Sequence, residues 1–238
     1  MRIRPFRDGS ASSTLRGIVE RTVREIETLE SDYVLNAALV ELEEYYVSKV
    51  RIEPLTLCSS EYYIDKQEGT QIDVSHGFRR AGFGNGPILV KGTVLDIAVP
   101  FTGDPDLWRV QPSSFSISGY PPIEVRDGVV VFSCEFADDA PDAERLKVDI
   151  ERAVESLDGA VATLSKDVER HNQDASREVL EALHRKLTVA KAAVGAIARL
   201  GIPIRRRAAP EVLSFQPRGA TRRFDARQSR QGISIRSQ

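Results

Sequence analysis

Residues 142–202 read DAERLKVDIERAVESLDGAVATLSKDVERHNQDASREVLEALHRKLTVAKAAVGAIARLGI and are the most regular part of the chain. Apolar residues recur there at alternating steps of four and three, the period of helices that pack along a shared seam. They are Ile150, Val154, Leu157, Val161, Leu164 and Val168, and then Leu180, Leu183, Leu187, Ala190, Val194 and Ile197. The pattern predicts an antiparallel, coiled-coil-like helical hairpin that turns at His171-Asn172-Gln173-Asp174 and stops at Gly201 and Pro203.

The middle of the chain, residues 51–136, changes to short runs of β-forming residues separated by Gly and Pro. Its clearest signal is IEVRDGVVVF at 123–132, where Asp127-Gly128 suits a two-residue turn between β-branched runs. We expect a β-hairpin there and an antiparallel sheet from the whole region. The predicted strands are Arg51–Ser59, Glu61–Asp65, Gln71–Ser75, Pro87–Pro100, Ser114–Ser118, Ile123–Arg126 and Val129–Phe136.

The N-terminal part has helical periodicity from about Ser12 to Lys49, with charged residues between apolar ones and no Pro. It predicts one long helix, with a cap at Ser12, Ser13 or Thr14. The fold class predicted is therefore α+β: a long N-terminal helix, an antiparallel β-sheet, a helical hairpin and a disordered basic tail. The predicted domains are 1–140 (helix plus sheet), 141–203 (helical hairpin) and 204–238 (tail).

Composition limits the class of protein. The 238 residues are 41% hydrophobic and 29% charged, as in ordinary soluble proteins. The N-terminus, MRIRPFRDGS, lacks the apolar core of a secretory signal, and no run is long enough to span a membrane, so we expect a cytoplasmic protein. In that compartment Cys58 and Cys134 are predicted to be reduced, half-buried thiols.

Charge is distributed unevenly along the chain. From Gly201 onward nine arginines face only Glu211 and Asp225, a net charge of +7, which leaves −9 for the rest. A basic arm on an acidic body is typical of contact with nucleic acid or an acidic partner. The candidate contact residues are Arg205, Arg206, Arg207, Arg222 and Arg223, and the alternative is a tail that is simply solvated.

Other motifs favour structural roles. The glycine-rich Gly82–Gly86 precedes a strand rather than a helix start, so it predicts a loop and not a phosphate site. Asp104 and Asp106 flank a turn-forming Pro105, and the acidic residues Asp138, Asp139 and Asp142 precede a helix, where its dipole favours them. Phe101, Trp108 and Phe115 are expected to fill the edge of the sheet core.

No set of residues predicts catalysis. The histidines, His76, His171 and His184, are scattered, and Ser75 beside His76 would point to the opposite face of a strand. A metal-dependent nuclease needs an acidic residue and a Glu/Asp-x-Lys motif on a neighbouring strand. The nearest match, Glu144-Arg-Leu-Lys147, has one residue too many and lies in a predicted helix. We expect no cofactor and no metal site.

Several motifs resemble a family of uncharacterised bacterial proteins. They are Asp73-Val-Ser-His76, Lys91-Gly-Thr93, Val99-Pro-Phe-Thr-Gly-Asp104, Leu107-Trp108, Pro112-Ser-Ser-Phe115 and Gly201-Ile-Pro-Ile-Arg-Arg-Arg207. In that family such a region precedes a restriction-endonuclease-like domain, which carries the catalytic residues. The resemblance implies a front-end module that positions or regulates a nuclease in DNA defence, with no catalytic residue in this chain.

Three functions follow as hypotheses. The first is a non-catalytic accessory module whose helical hairpin contacts a nuclease domain in trans or a second copy of the chain. The second is a nucleic-acid-binding protein that acts through the arginine-rich arm. The third is an enzyme of another kind with its site in residues 72–118, at Asp104 and His76.

Overall fold

The computed structural model describes residues 2–73, 88–114, 119–138 and 142–199. It shows a mixed α+β protein in which most strands lie between three N-terminal helices and one long C-terminal helix. The helices are α1 (Ala11–Thr28), α2 (Ser31–Asn36), α3 (Leu39–Val50) and α4 (Ala143–Arg199). The strands are β1 (Gly9–Ser10), β2 (Thr56–Leu57), β3 (Tyr63–Asp73), β4 (Leu89–Thr102), β5 (Val110–Gln111), β6 (Ile123–Arg126) and β7 (Val129–Ala137), with a 3-10 helix at Pro105–Arg109.

Two compact units divide the chain. One consists of Met1–Ser10 and Pro54–Lys166, and contains all the strands with the first part of α4. The other consists of Ala11–Glu53 and the residues from Asp167 onward, and contains α1, α2, α3 and the rest of α4. We call them the sheet unit and the helical unit. The predicted domains at 1–140, 141–203 and 204–238 follow sequence order and stay predictions.

The sheet unit is organised around β4. The strand order is β2-β4-β7-β6, and β3 also pairs with β4. In the ladder between β4 and β7, Ile97 lies opposite Phe132 and Val99 lies opposite Val130, and all four side chains are buried. Alternate residues of the two strands therefore fill one core. The predicted hairpin is confirmed: β6 and β7 have their expected start points, and Gly128 has φ of 74° in the turn.

Other strand predictions need correction. Glu61–Asp65 and Gln71–Ser75 were expected as separate strands, but a single strand, β3, runs through Gly69. The ladder with β4 supplies backbone partners throughout, which outweighs the weak strand propensity of Gly. The strand expected at Arg51–Ser59 is limited to β2. Of the strand expected at Ser114–Ser118, residues 115–118 lie outside the described residues, and β5 lies before it in the sequence.

The N-terminal segment is fastened to the sheet unit. Ile3 forms a bridge with Ile123, and β1 pairs in parallel with β5. Between these contacts Phe6 adopts φ of 59°, which is rare for a bulky residue. Its ring stacks on Trp108 and edge-on against Tyr120, at centroid distances of 5.6 and 5.1 Å. This aromatic packing holds the strained backbone in place.

The predicted single N-terminal helix is wrong, because three helices replace it. The breaks lie at Glu30 and at Ala37–Ala38, all with extended backbone. No Pro or Gly marks them. They allow α1 and α3 to bury their apolar faces in one cluster, which includes Val19 and Ile26 of α1 and Leu42 and Tyr46 of α3. A continuous helix could not bring these two faces together.

The predicted helical hairpin is also wrong. α4 continues without interruption from Ala143 to Arg199, straight through His171–Asp174. Those polar residues contain no helix breaker, and several of them have partners. Asn172 binds the backbone of Ile52, His171 contacts the carbonyl of Val50, and Asp174 pairs with Arg177 at 2.7 Å. The polar interruption is therefore a contact point on a helix and not a turn.

Two glycines with positive φ allow a matched test of the sheet unit. A Cβ on Gly103 would lie 2.1 Å from the carbonyl oxygen of Pro54, whereas a Cβ on Gly128 would meet nothing. We predict that Gly128→Ala lowers the free energy of unfolding by about 1–2 kcal/mol, the cost of the backbone conformation alone. Gly103→Ala should cost about 1–3 kcal/mol more, because it adds overpacking.

Urea denaturation followed by the fluorescence of Trp108, the single tryptophan, would measure both changes. Trp108 is fully buried in the sheet unit, so its emission reports the unfolding of that unit. Equal losses of stability in the two variants would contradict the predicted steric contact with Pro54.

Candidate functional site

The helical unit positions α4 between two helices that run in opposite directions. Arg16 of α1 pairs with Glu178 at 2.8 Å, and Lys186 donates to the carbonyl oxygen of Glu27 at 2.8 Å, so α1 is parallel to α4. His171 contacts Val50, and His184 contacts Glu43 at 2.7 Å, so α3 is antiparallel to α4. The end of α1 and the start of α3 therefore lie beside the same turns of α4.

The buried seam of α4 continues past these helix ends. Leu183 is fully buried in the core cluster with α1 and α3, and Ala190, seven residues later, is also at 0% exposure. Val194 is four residues beyond Ala190 and eleven, or about three turns, beyond Leu183, so it lies on the same face. Yet Val194 is 49% exposed. The apolar face thus extends beyond the part of the chain that covers it.

Further apolar residues lie at this end. Val189 is 65% exposed on α4, and Val40, one turn before Glu43 on α3, is 64% exposed. Ala192 and Ala193 of α4 are exposed as well. We call this set the exposed α4 end: Val40, Val189, Ala192, Ala193 and Val194. Of these, Val194 continues the buried seam, whereas Val189 and Ala192 lie on other faces of α4, so Val194 is the centre of the candidate interaction surface.

The neighbouring helices give this end a charged border. From Glu25 to Glu44 the sequence contains seven acidic residues and no Lys or Arg. Four of them, Glu30, Asp32, Glu41 and Glu44, are exposed on α2, α3 and the connection before them. On α4 itself the same end carries Arg185, Lys186, Lys191 and Arg199, so charges of both signs border it.

A lysine site lies within the same unit. The Lys49 ammonium binds the Glu25 carboxylate and lies over the Tyr45 ring at 4.7 Å and the Tyr46 ring at 5.4 Å. Burial lowers the pKa of Lys49, but hydrogen bonds to Glu25 and Tyr45 outweigh it, so the pKa is raised overall. Burial, and then the charge of Glu25, raises the pKa of Tyr46. Both groups keep their protons at neutral pH, which suits packing and not proton transfer.

A shallow groove of about 550 Å³ lies beside α4 in the sheet unit. Arg152, Glu155, Ser156 and Thr163 line its helical side, and Ser114 and Tyr120 contribute hydroxyl groups from loops. Arg152 is bonded to Asp149 at 3.1 Å, so its charge is already engaged. In the part of the chain that the structure describes, no group of three His, Cys, Asp or Glu residues is placed to hold a metal ion.

The structure assigns several of the singled-out residues to structural roles. Asp104 accepts from the amide of Asp106 at 3.0 Å, which starts the 3-10 helix, and Asp142 accepts from the amide of Arg145 at 3.0 Å at the start of α4. Phe101 and Trp108 stack edge to face inside the core, as predicted. Both cysteines are free thiols and partly buried.

Other predicted residues cannot be placed. Arg205, Arg206, Arg207, Arg222 and Arg223 lie outside the described residues. The same is true of Gly82–Gly86, His76, Phe115 and Asp139. The helical contact surface was expected on a hairpin, which is absent from the described chain; the exposed apolar residues named above lie on α4 and at the start of α3. The Lys49–Glu25 pair was missed, since the two residues are far apart in sequence and share no pattern.

Comparisons with known proteins add no assignment. No protein-family model matches the chain, and no curated protein or solved structure matches it either. Among the described helices, none is long and apolar enough to cross a membrane.

His171 predicts how the helical unit responds to pH. Burial lowers its pKa below the ordinary value, and the bond to Val50 and the charge of Asp174 only partly oppose this. The unfolded chain therefore takes up a proton at higher pH than the folded one. We predict full stability above about pH 6.5, the unfolded pKa, and a progressive loss as pH falls towards the lower folded value.

Thermal unfolding followed by circular dichroism between pH 8 and pH 5 would test this. In His171→Gln, whose amide can also donate to the Val50 carbonyl, that part of the pH dependence should disappear. His184→Gln, at an exposed position on the same helix, is the control. An unchanged pH profile in His171→Gln would contradict the assignment.

Proposed function

We propose that the chain is a non-catalytic accessory module that binds a partner protein through the exposed α4 end. The observation that carries the proposal is the change along one helical face, from fully buried Leu183 and Ala190 to half-exposed Val194. Apolar faces of this spacing are normally covered by another helix.

Covering this end would be favourable. Burial of apolar surface contributes roughly 25 cal/mol per Å², and the core of the helical unit already provides a rigid base on which α4 is held. A rigid helix loses little conformational entropy on binding, which favours affinity. The partner surface that fits is apolar at its centre and mixed in charge at its rim, because Glu41 adjoins Val40 on α3 and Lys191 and Arg199 flank Val194 on α4.

The polar clusters of the chain support a structural role. Lys49 is neutralised by Glu25, and Asp96 accepts hydrogen bonds from Ser133 and, at 3.3 Å, from Arg2. Each of these groups is used to fasten one segment to another. The resemblance noted above makes a nuclease domain in trans the first partner to test, with this chain positioning or regulating it.

We predict that Val194→Lys weakens binding to such a partner at least about tenfold, because a charge would enter the apolar contact. Stability should change by less than about 0.5 kcal/mol, since the side chain is exposed. Val148→Lys, at a 47% exposed position elsewhere on α4, is the matched control and should bind normally.

Each nuclease-domain protein found to be encoded next to this chain would be co-expressed and co-purified with it, and its affinity measured by calorimetry. Binding that is equally tight in both variants would show that the α4 end is not the contact. Failure of every such protein to bind would refute the nuclease association.

The alternative function is nucleic-acid binding through the arginine-rich arm. Its support is the net charge of +7 after residue 200. Phosphate contacts by arginine release counterions, so binding should weaken steeply with salt and depend little on sequence.

For this alternative we predict that replacing Arg205, Arg206, Arg207, Arg222 and Arg223 with Gln removes most of the affinity for duplex DNA. The slope of log affinity against log salt should fall by about 0.9 for each lost contact. Fluorescence anisotropy at several salt concentrations measures both. Unchanged affinity would exclude the arm as the binding element.

A further inference from the structure

β3 is a long strand at the edge of the sheet that the structure describes. Its 11 residues pair with β4 on one side only, and no other strand of the described chain pairs with them. Every residue of β3 except Ile72 is exposed, including Tyr63 at 47% and Ile64 at 59%. The outer side of an edge strand offers backbone groups that can bond to another strand.

The charges of β3 show which strand would fit. Lys66 is its only basic residue, and it forms an exposed pair with Glu68 at 2.6 Å on the same face. In a symmetric antiparallel pair of identical strands, one residue must face its own copy, and the residues on either side of it face each other crosswise. Only a register centred on Gln67 places Lys66 opposite an acidic residue, which is Glu68 of the second copy.

This register joins two Lys66–Glu68 pairs across the axis. Registers centred on Lys66 or Glu68 would instead place like charges opposite each other, which is destabilising. The Gln67 register also places Asp65, where the ladder with β4 is irregular, opposite Gly69. Gly69 has open space around it, so the irregular backbone meets no side chain there.

We propose that two copies of the chain associate through β3, antiparallel and in register about Gln67. The occupant is a second copy because the charge pattern of this strand is complementary to itself. The contact surface is a single strand per copy, so the dimer is weak and forms at high concentration. This inference concerns the sheet unit and does not depend on the proposed function of the α4 end.

Charge reversals test the register directly. Lys66→Glu makes all four facing charges negative, and Glu68→Lys makes them all positive, so each variant should dimerise at least about tenfold more weakly. The double variant Lys66→Glu/Glu68→Lys exchanges the partners and should recover the association of the original chain. Lys147→Glu, the same change at an exposed site on α4, should have no effect.

Sedimentation equilibrium over a range of concentrations would measure these constants, with urea denaturation to confirm that each variant is folded. Slower amide exchange in β3 at high concentration, absent in Lys66→Glu, would locate the contact. A chain that stays monomeric at all concentrations overturns the proposal and leaves the edge to another protein. Dimerisation insensitive to the single reversals, or not recovered in the double variant, overturns it as well.

Discussion

The continuity of α4 through residues 171–174 is the constraint on which the helical unit depends. Asn172 accepts from the amide of Ile52 at 2.9 Å and donates to its carbonyl oxygen at 2.8 Å, and His171 bonds to the carbonyl oxygen of Val50 at 3.0 Å. These backbone groups lie where α3 has just ended, so they have no helical partner of their own. Because unpaired buried groups cost about 1–3 kcal/mol each, these side chains fix the point at which the chain leaves α3.

The sequence predicted the parts of the fold that are governed by local contacts. The Asp127-Gly128 hairpin and the apolar seams of α4 are recognisable because turn chemistry and helical period act over a few residues. A hairpin and a single helix have the same period, so the pattern alone could not show that His171–Asp174 is helical. The breaks at Glu30 and Ala37 escape prediction for a related reason: they are fixed by the packing of α1 on α3 and not by a Pro or Gly.

The candidate surfaces were less predictable than the fold. Leu183 and Val194 belong to the same apolar repeat, and the sequence does not show that one is buried in the folded chain and the other half-exposed. Lys49 meets Glu25 and the Tyr45 ring because α1 and α3 fold back on each other. The sequence did not predict β3 as one continuous strand, because Gly69 interrupts its β-forming residues. The strand is continuous because its backbone pairs with β4 on both sides of Gly69.

The charges around the exposed α4 end have both signs. Glu41 and Glu44 follow Val40 on α3, whereas Arg185, Lys186, Lys191 and Arg199 lie on the last turns of α4. A protein segment can match an apolar centre and a rim of mixed charge at once, because its side chains can vary in both respects. The proposal of a protein partner therefore rests on the exposed apolar residues and not on the sign of the rim charge.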